Sequence, residues 1–142
     1  LGALGFLAHT ALTYESENNS SGNYGLLDQL EVLEWVQENI AGFGGDPDRV
    51  TIFGQSAGGT DVCLLMSSPM AQGLVDGVIG QSPGCIKTQN TLANGSHQRG
   101  ENFVRGLGIT GTGATTLEQM RAISPQQIVS ATGSGGGPAI DG

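Results

Sequence analysis

Apolar positions along this 142-residue chain fall into short runs separated by glycine and by polar loops. The nearly unbroken run over residues 1–7 predicts a first strand, and the stretch 9–23, with Glu15, Glu17, Asn18, Asn19, Ser20 and Ser21, predicts a polar loop. From about 26 to 41 the period becomes helical. Leu26, Leu30, Leu33, Val36 and Ile40 share one stripe, while Glu31, Glu34 and Glu38 turn away as a solvated face. Asp28 in the first turn suits the positive end of the helix dipole, and Gly42, Gly44 and Gly45 end the helix. A β-branched and aromatic run predicts a second strand over 50–54, a small-residue start predicts a helix over 57–66, and 77–82 reads as a third strand. This β-α-β-α-β order implies parallel strands with right-handed crossovers, an α/β segment of a larger doubly wound sheet. Beyond it the chain turns helical, over 97–107 and over 115–123 with Thr115 as cap and Glu118 three residues on. Ser124-Pro125-Gln126-Gln127 reads as a capping box with proline in the first helical position, and 133–137 as a mobile glycine linker.

The junction of the second strand with Gly54-Gln55-Ser56-Ala57-Gly58 carries the chemistry. A strand running through a sharp turn into a helix, with serine at the apex, is the layout of a nucleophile elbow, which points to acyl transfer through a serine ester. The bare pattern is weak in a chain with 25 glycines; about 0.3 matches are expected by chance. A second match does occur, Gly80-Gln81-Ser82-Pro83-Gly84. Oxyanion chemistry separates the two. The residue after the nucleophile must offer its N–H to the tetrahedral intermediate; Ala57 has one and Pro83 has none. Ser56 is therefore the candidate nucleophile, Ala57 N–H the candidate oxyanion donor, and Ser82 a strand-end residue near the site.

The flanks carry a resemblance. Gly22-Asn23-Tyr24-Gly25-Leu26-Leu27-Asp28-Gln29, Trp35-Val36-Gln37-Glu38-Asn39-Ile40, Phe43-Gly44-Gly45-Asp46-Pro47 and Val50-Thr51-Ile52-Phe53-Gly54-Gln55-Ser56-Ala57-Gly58-Gly59 resemble, in order and spacing, the signatures of the type-B carboxylesterase and cholinesterase family. The opening strand and Pro138-Ala139-Ile140-Asp141-Gly142 resemble further landmarks, so the likeness covers the whole chain. It implies an α/β-hydrolase fold and cleavage of carboxylic esters by a Ser, acid, His triad, with no cofactor or metal and a small-molecule ester as partner. Only the serine carries over by residue, onto Ser56, with the Ala57 N–H. The family's glycine-rich oxyanion loop lies upstream of Leu1 and its acid and histidine beyond Gly142, which makes residues 1–142 a partial domain truncated at both ends. Many members place Glu before the nucleophile, where this chain has Gln55. Two other readings keep the fold: a non-catalytic adhesion or scaffold relative, and a serine hydrolase of thioesters, lactones or carbamates.

Composition narrows the partners. Net charge is −8 and the five basic residues are scattered, which argues against nucleic acid or an anionic membrane surface. No stretch approaches the ~18 apolar residues that span a bilayer. Oligomeric state and compartment are not assigned. His9 precedes Ser56, against the chain order of the triad in this fold, and His97 lacks an acidic partner in sequence beyond Asp61 and Asp76; both read as surface histidines. Asp46, Asp48 and Arg49 read as an Asp-stabilised turn with a local ion pair. Asp141 stands too early for the triad acid. Cys63 and Cys85, 22 residues apart with no second pair, make a poor zinc site; a disulfide, or Cys63 as a small buried hydrophobe, both stand.

Overall fold

A computed structural model describes residues 1–86, 88–131 and 136–141. In chain order its elements are α1 (Ala3–Phe6), α2 (Thr10–Glu15), α3 (Tyr24–Asn39), β1 (Thr51–Gln55), α4 (Ala57–Ser67), β2 (Gly77–Gln81), β3 (Asn90–Thr91), α5 (His97–Gly106), α6 (Ala114–Ala122), α7 (Pro125–Ser130) and β4 (Ala139–Ile140). They divide into two units, Leu26–Thr88 and Leu1–Gly25 with Gln89–Gly142.

The unit Leu26–Thr88 is built on β1 and β2, which pair in parallel from Thr51↔Gly77 to Gln55↔Gln81. Parallel neighbours need a crossover, and α4 supplies it. Leu30, Leu65 and Ala71 form the core, with Leu26, Ile52 and Leu74 packed on it; each leucine so buried contributes about 2 kcal/mol of hydrophobic free energy. The expected helix stripe holds at its centre, where Leu30 and Leu33 are buried and Glu31, Glu34 and Glu38 face solvent; the helix starts at Tyr24, however, which puts Asp28 beyond its first turn, and Ile40 falls in the turn that follows. The helix passes into a short 3₁₀ turn, Ile40–Phe43, which Gly44 ends in the left-handed region at φ 83°. Asp46 Oδ1 accepts the Asp48 N–H at 3.0 Å and pairs with Arg49, while Asp76 Oδ2 accepts the Val50 N–H at 2.8 Å. These aspartates shape the entry to β1. The second face of the two-stranded sheet is open: the register partners Phe53 and Ile79 are 75% and 54% exposed.

In the other unit Phe103, Val104 and Ile109 are buried against Ala3, Leu7, Met120, Ile123 and Ile128. Asn23 bridges to Ala139 twice, donating from Nδ2 to its carbonyl at 2.9 Å and accepting its N–H at 3.0 Å. β3 and β4 add a two-residue parallel pair that the sequence did not signal. The capping box is present, with Ser124 accepting the Gln127 N–H and Gln127 accepting the Ser124 N–H.

Three further expectations about the elements need correction. Residues 1–7 are no strand: α1 occupies them, entered through Gly2 at φ 53°, with the amides of Leu4, Gly5 and Phe6 bonded to the carbonyls of Leu1 and Gly2. The run holds leucine and alanine but no β-branched residue, so once its amides close locally nothing favours the extended form. Residues 10–15 are likewise helical within the expected loop, because His9 caps them, its Nδ1 accepting the Ala11 N–H at 3.1 Å. The third concerns α6, which starts one residue early, on Gly113 at φ 61° and without a side-chain cap, so Thr115 lies inside its first turn. Of the glycine segment 133–137, residues 133–135 lie outside the described residues.

Candidate active site

Ser56 sits between the last residue of β1 and the first of α4, at φ 53° and ψ −114°. This conformation is uncommon for a residue with a Cβ and marks a turn under strain, of the kind that projects a side chain off the end of a sheet. Two glycines let the turn close. A Cβ on Gly54 would lie 2.3 Å from the Gly58 carbonyl oxygen, and one on Gly59 would lie 3.0 Å from the Gly54 carbonyl oxygen and 3.1 Å from Pro83 Cβ. The helix therefore starts almost in contact with the strand that precedes it.

The backbone around Ser56 is fastened, while among the described residues its hydroxyl has no hydrogen-bond partner. Its N–H donates to the Gln81 carbonyl at 2.9 Å, and its carbonyl accepts the Thr60 N–H at 3.0 Å. The latter bond opens the α4 ladder, so the amides of Ala57, Gly58 and Gly59 precede any intrahelical acceptor. The Ser56 side chain makes no capping bond to them. Ser56 and Ala57 are exposed, and the Ala57 N–H stands at the positive end of an eleven-residue helix. A helix amide without an intrahelical acceptor is the kind of donor that can stabilise an oxyanion developing beside this turn. Two clefts of about 460 and 470 Å³ are lined by His9, Tyr14, Glu101 and Arg105 with their neighbours, and by residues of 65–78; Ser56 lines neither.

Ser82 directly follows the register partner of Gln55 and also has a positive φ, 50°. It ends β2 beside the β1 turn, and the residue after it, Pro83, has no N–H to offer. His9 corrects the expectation of a surface histidine. It is 7% exposed, and burial, more than the like charge of His97, holds its pKa below the ordinary 6.5, against the opposing pull of Glu101. His97 Nε2 lies 2.9 Å from Thr13 Oγ1. Both histidines are thus engaged with residues of the unit formed by Leu1–Gly25 and Gln89–Gly142. Asp61 accepts from Gln29 Nε2 at 2.9 Å on the flank of α4. Among the described residues no group of three His, Cys, Asp or Glu side chains is placed to hold a metal ion, and no helix is long and apolar enough to cross a membrane.

One feature of the site, Thr60, was not singled out from sequence, and another was left undecided. Thr60 Oγ1 accepts the Gly84 N–H at 3.0 Å and donates to the Ser56 carbonyl at 3.3 Å. Cys63 and Cys85, which the sequence left open, are joined in a disulfide.

Residues 1–141 match the carboxylesterase family. The chain is 54% identical over 92 residues to the fumonisin B1 esterase of Sphingopyxis macrogoltabida, covering 65% of this chain and 17% of that protein. It is 41% identical over 130 residues to the acylcarnitine hydrolase of Rattus norvegicus, covering 91% of this chain and 22% of that one. Among solved structures, a thermophilic PNB esterase superposes on 99% of the chain with a TM-score of 0.79 at 32% identity, the match spanning 30% of that structure. The chain thus spans about a fifth of the length of these two relatives.

Proposed function

The chain belongs to the carboxylesterase family, and on that premise we propose that it supplies the nucleophile of a serine hydrolase cleaving small-molecule carboxylic esters. Ser56 Oγ attacks the ester carbonyl as a histidine removes its proton. The Ala57 N–H, with donors from outside residues 1–142, holds the oxyanion. The tetrahedral intermediate collapses to an acyl-enzyme, the alcohol leaves with the proton carried by the histidine, and water then releases the acid. The single observation that carries this reading is the strained, exposed Ser56 in front of a helix start whose first amides precede any intrahelical acceptor.

The triad histidine and acid belong, in this reading, to parts of the protein outside these residues. Support comes from His9 and His97, both engaged by neighbours other than Ser56, and from the open sheet face at Phe53 and Ile79. Sheets of parallel strands are covered on both faces, so such exposure fits a segment of a larger domain. Ser56 and its elbow also favour catalysis over a scaffold role, which has no use for a strained serine.

The test is covalent. A fluorophosphonate that inactivates the full-length protein should leave its phosphonyl group on the peptide containing Ser56. Inactivation with the label on another serine would overturn the assignment.

A further inference from the structure

Thr60 and the Cys63–Cys85 disulfide lie one and two turns into α4 and have no part in the reaction described above. A threonine hydroxyl bonded back to the carbonyl four residues earlier is common in helices and asks for no explanation. The second bond does. The Gly84 N–H, 24 residues further along the chain, donates to the same hydroxyl at 3.0 Å. Thr60 Oγ1 is thereby a relay, accepting from the loop after β2 and donating to the carbonyl of Ser56. That loop is seated at two more points: Pro83 lies against Gly59, and Cys85, adjacent to Gly84, is bonded to Cys63 on α4.

We propose that Thr60 is a positioning residue for Ser56, and that the Cys63–Cys85 disulfide keeps the Gly84 amide within its reach. The proposal rests on Ser56 being the nucleophile. The positive φ of Ser56 is a conformation the chain must be held in. The Gln81 carbonyl holds it at the Ser56 amide, and Thr60 holds it at the Ser56 carbonyl, so both ends of the strained residue are tied to the segment 81–85. Cys85 is exposed and open to thiols. A dithiol reductant would break the Sγ–Sγ bond, giving two electrons and two protons to leave two thiols, while closing to its own cyclic disulfide. The loop would then be released from α4 and the relay loosened.

The experiment uses the full-length protein and follows three readouts: the rate constant for fluorophosphonate labelling of Ser56, kcat with KM on a short-chain aryl ester, and the melting temperature. Thr60→Val keeps the shape and removes the hydroxyl. It should slow labelling and lower kcat about fivefold, the equivalent of one neutral hydrogen bond, with KM within about twofold of wild type. Thr60→Ser, which keeps the hydroxyl, should restore both rates. Dithiol treatment of wild type should slow labelling to a similar degree, reversibly on reoxidation, and should leave a Cys63→Ala/Cys85→Ala variant unaffected. Should Thr60→Val not fold, the reduction arm decides alone. Wild-type labelling rates in Thr60→Val, or in reduced wild type, would overturn the proposal. Absence of any label on Ser56 in untreated wild type would instead overturn the nucleophile assignment.

Discussion

The amide of Ser56 donates to the carbonyl of Gln81 at 2.9 Å, joining the turn after β1 to the last residue of its neighbour β2. The strained turn is therefore held from the side by the strand that follows it in the chain, and Ser56 and Ser82 stand at matching ends of the two strands.

The closeness of α4 to β1 gives a contrast between two glycines of the same motif. An alanine at 54 would drive its Cβ to 2.3 Å from the Gly58 carbonyl oxygen, whereas one at 58 meets nothing within 4 Å. Gly54→Ala should lower the free energy of unfolding by about 1–3 kcal/mol, and Gly58→Ala should change it by less than about 0.5 kcal/mol. Urea titrations of the two variants check this. Equal effects would show that the close approach does not govern the turn.

His9 should make stability depend on pH. Its pKa is held below the ordinary 6.5, chiefly by burial, and its Nδ1 accepts the Ala11 N–H, which a protonated ring cannot do. Between the folded-state value and 6.5 the unfolded chain binds more protons, so stability rises with pH across that window. The contribution is complete above 6.5 and disappears as pH falls through the folded-state value. The urea midpoint should be lower near pH 5 than near pH 7.5, and His9→Asn, which keeps a capping acceptor without titrating in this range, should flatten the slope. An unchanged slope in that variant would assign the dependence elsewhere.

Ser124 caps α7 in a reciprocal pair with Gln127. Ser124→Ala should cost about 1 kcal/mol in unfolding free energy, and Ser124→Asp, which keeps an acceptor, much less. Thermal melts of the two variants distinguish a cap from an indifferent surface serine.

How far the sequence could be read depended on how local the cause was. The stripe of α3, the Asp46 turn, the capping box and the β1–turn–α4 elbow are each fixed by residues within one or two turns, and all were legible. The failures share a different cause. Residues 1–7 have strand-like hydrophobicity, but leucine and alanine are equally at home in a helix, and local amide closure decides the matter. His9 looked like a surface residue because its loop looked polar, and only the fold shows the ring capping α2 and burying itself. At the site, the strand-to-helix turn that carries Ser56 and Ala57 was legible from the motif. The Gln81 carbonyl, the Thr60–Gly84 contact and the choice between a bridged and a free Cys63 depend on which strand β1 pairs with, and no local pattern encodes that.

If the histidine, the acid and part of the oxyanion hole lie elsewhere in the protein, residues 1–142 expressed alone should hydrolyse a short-chain aryl ester no faster than buffer. Spectrophotometric assay of the purified chain checks this. Turnover that a fluorophosphonate abolishes would place a working triad within these residues and contradict the assignment of His9 and His97 to structural roles.

Replacing the Ser56 hydroxyl by hydrogen tests the central claim most directly. In the full-length protein Ser56→Ala should reduce kcat on a short-chain aryl ester by about 10⁴-fold or more, leaving the residual rate of an oxyanion hole without its nucleophile, with the melting temperature preserved. A folded variant that turns over within a few-fold of wild type would contradict it.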